Sequence, residues 1–142
     1  MTKFSATIID HLNLGVSDAE RSRVFYEKAL APLGIGLVLS IPRERAEPGG
    51  EQEKAQGVLH GFGNAHKPLF WILGNVRVGE GTHIGFVASS RAQVDAFYAA
   101  AIKAGATDNG GPGLRRYHES YYGAFVLDPD GISIEAVCHA PA

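Results

Sequence analysis

Asp10-His11-Leu12-Asn13-Leu14-Gly15-Val16-Ser17-Asp18 returns 72 positions later, without a gap, as Thr82-His83-Ile84-Gly85-Phe86-Val87-Ala88-Ser89-Ser90. The agreement continues downstream: Phe25-Tyr26 falls on Phe97-Tyr98, and Ala29 on Ala101. Residues 10–33 and 82–105 therefore read as two copies of one unit, offset by about half of the 142-residue chain. A repeat of this length marks a duplicated module rather than a solenoid, which stacks three or more shorter units. Both copies put a histidine at the same point of a strand that runs into a helix.

Strand geometry sends successive side chains to opposite faces. In the first copy, Ile8 to Val16 reads as a strand with His11, Asn13 and Gly15 on one face and Leu12, Leu14 and Val16 on the other. In the second, Thr82 to Val87 sets His83, Gly85 and Val87 against Ile84 and Phe86. Ser17 to Glu20 and Ser90 to Gln93 have the spacing of capping boxes, in which a hydroxyl accepts from a free backbone N–H at a helix start. The first helix is expected to run to about Leu33, with Gly34 ending it. The second carries Val94, Phe97, Tyr98, Ala101 and Ile102 as a one-sided stripe and stops at Gly105.

Outward from these units, Gly36 to Ile41, Val58 to Phe62 and Pro68 to Leu73 are expected strands. Residues 42–55 form a charged, Pro- and Gly-containing surface loop, and Asn75 to Gly81 a linker. Past the second helix, Asn109 to Gly113 is a glycine-rich loop with no phosphate-binding lysine after it. The aromatic stretch Tyr117-His118-Glu119-Ser120-Tyr121-Tyr122 comes next. Ala124 to Leu127 and Ile132 to Val137 are strands joined by the turn Asp128-Pro129-Asp130-Gly131. Each half reads β-α-β-β-β. The fold class is α+β, one domain of two repeated modules, roughly 1–76 and 77–142.

Composition narrows the function classes. With 45% hydrophobic and 20% charged residues the chain is of globular type. A net charge of -2, with Arg115-Arg116 the basic doublet beside a loop, argues against nucleic acid. The lone Cys138 excludes an internal disulfide and fits a reducing compartment. Neither a signal peptide nor a bilayer-spanning stretch is apparent, so a cytoplasmic location is expected and no membrane partner.

Alternation on the last strand puts Ser133, Glu135 and Val137 opposite Ile132, Ile134 and Ala136. A carboxylate in a half-buried strand costs several kcal/mol unless it is paired or metal-bound. A single strand histidine is ordinarily a hydrogen-bonded core residue. Here, however, both copies keep a histidine in the same register beside that glutamate. His11, His83 and Glu135 make the two-imidazole, one-carboxylate set that holds a divalent metal ion while leaving positions open. The set does not choose among Fe, Mn, Zn and Ni. His60 is expected to line the cavity, whereas His66 and His139 lack comparable support. Cys138 has the opposite parity to Glu135 and reads as packing.

Asp10-His11-Leu12, Thr82-His83-Ile84-Gly85-Phe86 and Asp128-Pro129-Asp130-Gly131-Ile132-Ser133-Ile134-Glu135 resemble the signature segments of the vicinal oxygen chelate superfamily. That group includes glyoxalase I, extradiol dioxygenases, fosfomycin-resistance transferases and bleomycin-resistance proteins. The resemblance covers nearly the whole chain. It implies two βαβββ modules forming a cup-shaped mixed sheet, with metal ligands on the first strand of each module and the last strand of the second. Those positions are His11, His83 and Glu135. It also implies a homodimer. The chain departs from glyoxalase I at one point, because Pro68 to Leu73 contains none of the carboxylates that supply the fourth ligand and take part in proton transfer there.

The residues and the resemblance together point to a metal-dependent enzyme, of lyase, isomerase, transferase or dioxygenase type, on a small oxygen-rich substrate. The metal would act as a Lewis acid on neighbouring substrate oxygens. Tyr122 and His118 are the candidates to carry a proton. Arg115, Tyr117, Tyr121, Trp71 and His60 are the candidates to contact substrate. The alternative is a non-catalytic protein that sequesters a drug or metabolite, for which Phe70 and Trp71 lining a groove would serve. Specificity is expected to reside in loops 42–55 and 109–122.

Overall fold

The structure is a computed structural model that describes residues 9–45, 57–77, 79 and 81–142. The expected strand start at Ile8, most of loop 42–55 and positions 78 and 80 of the linker lie outside the described residues. The first half contributes β1 (Leu12–Val16), α1 (Ala19–Leu30), β2 (Gly36–Pro42), β3 (Val58–Asn64) and β4 (Lys67–Gly74). The second contributes β5 (His83–Val87), α2 (Arg91–Lys103), the short β6 (Thr107–Asp108) and β7 (Gly113–Leu114), β8 (Tyr122–Leu127) and β9 (Ser133–Cys138). The α+β reading holds, with each half closing on its own mixed sheet.

In the first sheet, ordered β1-β4-β3-β2, β1 runs parallel to β4 and the other pairs are antiparallel. The second repeats this as β5-β9-β8-β6, with β5 parallel to β9 and β7 also pairing β8. The repeat in sequence is thus a repeat in topology. The histidine strands β1 and β5 are both sheet edges.

The two helices pack against each other and each against its own sheet. Both sheets turn their helix-bearing faces to one continuous core: Leu14, Val16, Phe62, Phe70 and Ile72 from the first, Phe86, Val126, Ile134 and Ala136 from the second. Phe25, Tyr26, Ala29 and Leu30 of α1 and Val94, Phe97 and Ala101 of α2 fill the space between. Phe70 and Phe86 meet edge to face across the halves, centroids 5.5 Å apart. Consequently the opposite faces of the two sheets, which carry the histidines, both look away from the shared core.

The helix ends show which capping expectation holds. Ser90 accepts from Gln93 N–H at 3.1 Å, and the Gln93 side chain reaches back to the Ser89 N–H at 2.8 Å, as the spacing implies. At α1 the cap is Asp18 instead of Ser17, its Oδ1 accepting from Arg21 N–H at 3.0 Å. Ser17 is engaged elsewhere, its hydroxyl donating to Asp130 at 2.5 Å. That contact, with Arg21 to Asp130 at 3.3 Å, hooks the 128–131 turn onto the start of α1. Asp128 completes the hook by accepting from the buried Tyr26 hydroxyl at 2.5 Å. Burial raises the pKa of both partners, well above 10.0 for Tyr26. The α1 terminus behaves as expected: a short 3-10 turn (Ala31–Leu33) is closed by Gly34 in the left-handed conformation, φ 77°.

Candidate functional site

On the outer face of the second sheet, β5 and β9 are parallel neighbours with Gly85 opposite Glu135 and His83 opposite Ser133. His83 Nε2 donates to Glu135 Oε1 at 2.9 Å, which leaves Nδ1 to accept from the Ser133 hydroxyl at 2.8 Å. The other carboxylate oxygen, Oε2, accepts from the Tyr121 hydroxyl. Glu135 is 4% exposed although charged, a placement tolerable only because donors meet both its oxygens. Gly123 makes the room, since a methyl group there would stand 2.9 Å from Oε2.

Around this pair the His83 ring stacks on Phe125, centroids 5.7 Å apart, and Arg115 lies over the Phe125 ring at 5.4 Å. Arg115 also donates to the Gly111 carbonyl at 2.6 Å, so the glycine-rich loop is folded onto the site rather than loose. Tyr121 meets Tyr117, His118 and His139 edge to face. The rings of His118 and His139 stack with a nitrogen–nitrogen hydrogen bond of 2.6 Å. Burial first, and then the hydrogen bond to Glu135, pushes the Tyr121 phenol up to about 12.

His11 belongs to the outer face of the other sheet. Its Nδ1 donates to Asp10 Oδ2 at 2.7 Å, and Lys67 donates to the same oxygen at 2.7 Å. These donors hold the Asp10 carboxyl below its ordinary range, Lys67 contributing most. Beside His11 opens a cavity of about 470 Å³ lined by Asn13, Ile41, Arg45, Leu59, Lys67, Pro68, Trp71 and Leu73. The Trp71 indole lies over the bare backbone of Gly61, where a Cβ would stand 2.9 Å from the ring.

Thus the structure brings His83 and Glu135 together within one chain and leaves His11 on a different sheet. Among the described residues no three His, Cys, Asp or Glu side chains stand close enough to hold a metal ion. The two histidines are alike in engaging Nδ1 with a neighbour, Asp10 for His11 and Ser133 for His83, and differ in that His83 Nε2 is bonded to Glu135.

Two expected site residues are corrected. Tyr122 is not placed to carry a proton at this site, because β8 begins at Tyr122 and so gives it the parity of Ala124 and Val126. Its hydroxyl donates to Asp95 at 2.7 Å and Arg91 covers its ring, both on α2, so it braces the helix. His60 does not line the cavity. It shares the core face of β3 with Phe62, is 7% exposed, and bonds Ser40 at 2.8 Å. Leu59 lines the cavity in its place. Tyr121, Tyr117, His118 and Arg115 do surround Glu135 or its neighbours, and Trp71 does line the cavity. Asp10, Ser133, Phe125, Arg45 and Lys67 join these groups without having stood out in the sequence. Of these, Ser133 was accessible from its shared face with Glu135.

A family model described as Glyoxalase/Bleomycin resistance protein/Dioxygenase superfamily matches residues 8–136. No protein of curated function matches the sequence. Among solved structures, a glyoxalase/bleomycin resistance protein from Albidiferax ferrireducens T118 is 31% identical, with a TM-score of 0.70 over 94% of this chain and 100% of that one. A glyoxalase/bleomycin resistance protein/dioxygenase family enzyme from Burkholderia phytofirmans PsJN is 18% identical, with a TM-score of 0.64 over 92% of this chain and 98% of that one. Glyoxalase I from Zea mays is 19% identical, with a TM-score of 0.65 over 94% of this chain and 45% of that one. The last two likenesses speak to the fold. No helix among the described residues is long and apolar enough to cross a membrane.

Proposed function

The chain belongs to the glyoxalase/bleomycin resistance protein/dioxygenase superfamily, and from that premise we propose that it is a metal-dependent enzyme acting on a small, oxygen-rich substrate. Its ligands are His83 and Glu135 of one copy and His11 of a second, in a homodimer with two equivalent sites. The observation that carries this reading is the pair of Nε2 atoms, each set by a partner on Nδ1, one of them already 2.9 Å from a buried carboxylate. Because His11 lies on a separate sheet, one chain supplies two of the three donors. A two-fold dimer supplies the missing one reciprocally. The edge positions of β1 and β5 leave both histidine strands open to a neighbouring copy.

A divalent ion held there supplies Lewis acidity to neighbouring oxygens of the substrate. The chain's own groups do the rest. Tyr121 and Ser133 fix the carboxylate and the imidazole, so that little reorganisation is left for binding. His118, hydrogen-bonded to His139 beside Tyr121, is the group we assign to exchange a proton with substrate. No carboxylate stands on β4, whose outer face presents Trp71 and Leu73, so this chain has no base where glyoxalase I keeps its fourth ligand. The reaction class is therefore proposed as addition, elimination or oxygen insertion rather than glyoxalase I isomerisation. A second reading, sequestration without catalysis, is favoured by the Trp71 cavity alone.

Complementation tests the shared site. His11→Ala and His83→Ala homodimers should each lose metal while keeping native circular dichroism. Co-expressed, they form heterodimers in which one of two sites is intact, so metal content should recover to about a quarter of the wild-type value under random pairing. No recovery, or a monomer by light scattering, overturns the shared site. Absence of first-row metal in the reconstituted wild type favours sequestration.

A further inference from the structure

We propose that the cavity on the outer face of the first sheet takes a small carboxylate with a flat apolar body, its acid group held by Arg45 and its body laid on Trp71. This names the substrate class of the site above and rests on that reading for its catalytic meaning, though the binding itself lies within one half of one chain.

The lining divides sharply by chemistry. Ile41, Leu59, Pro68, Trp71 and Leu73 make an apolar wall, and the charged members are Asp10, Arg45 and Lys67. Asp10 is already satisfied, since His11 and Lys67 both donate to its Oδ2 at 2.7 Å. Arg45 has no ion pair among the described residues. Among the described lining residues one carboxylate against two cations leaves a surplus of one positive charge, and with Lys67 paired to Asp10 that charge falls to Arg45. A planar guanidinium recognises a planar carboxylate through two parallel hydrogen bonds, which a neutral amide cannot reproduce.

Shape makes the second selection. Gly61 lets the indole lie close on the β3 backbone, leaving the remaining surface of the ring to the cavity. A flat apolar group buries area there and gains aromatic contact as well. A volume of about 470 Å³ is that of a small-molecule site, too little for a peptide or nucleic acid strand. A bare anion such as acetate fills only the Arg45 end.

Trp71 is the only tryptophan in the chain, so its fluorescence reports this cavity directly. Metal-stripped protein in EDTA is titrated with phenylacetate, its neutral isostere phenylacetamide, and acetate. Phenylacetate should shift the emission saturably, with the amide and acetate each about tenfold weaker or worse. Arg45→Gln should weaken phenylacetate about tenfold while leaving phenylacetamide unchanged. Equal affinity for acid and amide, no effect of Arg45→Gln, or no saturable change up to roughly 10 mM phenylacetate overturns the proposal. A protein that binds phenylacetate in this way yet takes up no metal loses the catalytic reading and keeps this one. A protein that loads metal but ignores phenylacetate loses only the substrate class.

Discussion

His60 shows how one residue's face decides its chemistry. It sits under α1 with Arg23, Glu20 and Glu27 nearby and bonds Ser40. Burial, reinforced by Arg23, lowers its pKa from the ordinary 6.5, against the opposing pull of Glu20 and Glu27. The unfolded chain therefore takes up this proton first as pH falls. The stabilising contribution of neutral His60 is complete above about 6.5 and is lost as pH drops through that value toward the folded pKa. Thermal melts of wild type should lose stability from about pH 7 to about pH 5.5 more steeply than those of His60→Gln. Parallel slopes would remove His60 as the cause. Its face was legible: two positions from Phe62, it follows the core parity of β3. Tyr122 is the same lesson, since counting back by twos from Ala124 sends it to α2. Tyr121, one residue away, is the one that reaches Glu135.

At the scale of elements, capping chemistry separates two serines that look alike in sequence. Ser90 caps α2, and Ser90→Ala should cost about 1 kcal/mol through the orphaned Gln93 N–H. Asp18→Ala should cost a similar amount at α1. Chemical denaturation with an unchanged m-value reads both, and a cost near zero would show that the caps are replaced by solvent. The exchange of Ser17 for Asp18 was not legible, because it depends on Asp130, 113 positions away, claiming the Ser17 hydroxyl. The strand order, in contrast, follows from the repeat. A strand-helix unit whose first strand pairs parallel to its last occurs in both halves.

For the molecule as a whole, the two halves share one core, and Phe70 against Phe86 joins them alongside the packing of α1 on α2 and the Tyr26–Asp128 hydrogen bond. Phe70 is fully buried, so Phe70→Ala should cost about 3–5 kcal/mol. Both halves should still melt in one transition. Two separate transitions would show that the modules are independent folding units. The sequence by itself determined the duplication, the α+β class, the faces of β1, β5 and β9, and the donor chemistry of His11, His83 and Glu135, because each follows from residue type and from local periodicity. Only the tertiary structure decided how those faces stand to one another. Burying both helix-bearing faces in one core sends the histidine faces outward on separate sheets, so Glu135 meets His83 and not His11. The cavity is likewise a tertiary product: the β3–β4 register, which no local pattern specifies, brings Gly61 beneath the Trp71 indole, and the pairing of β2 with β3 brings the turn that carries Arg45 to the same cavity.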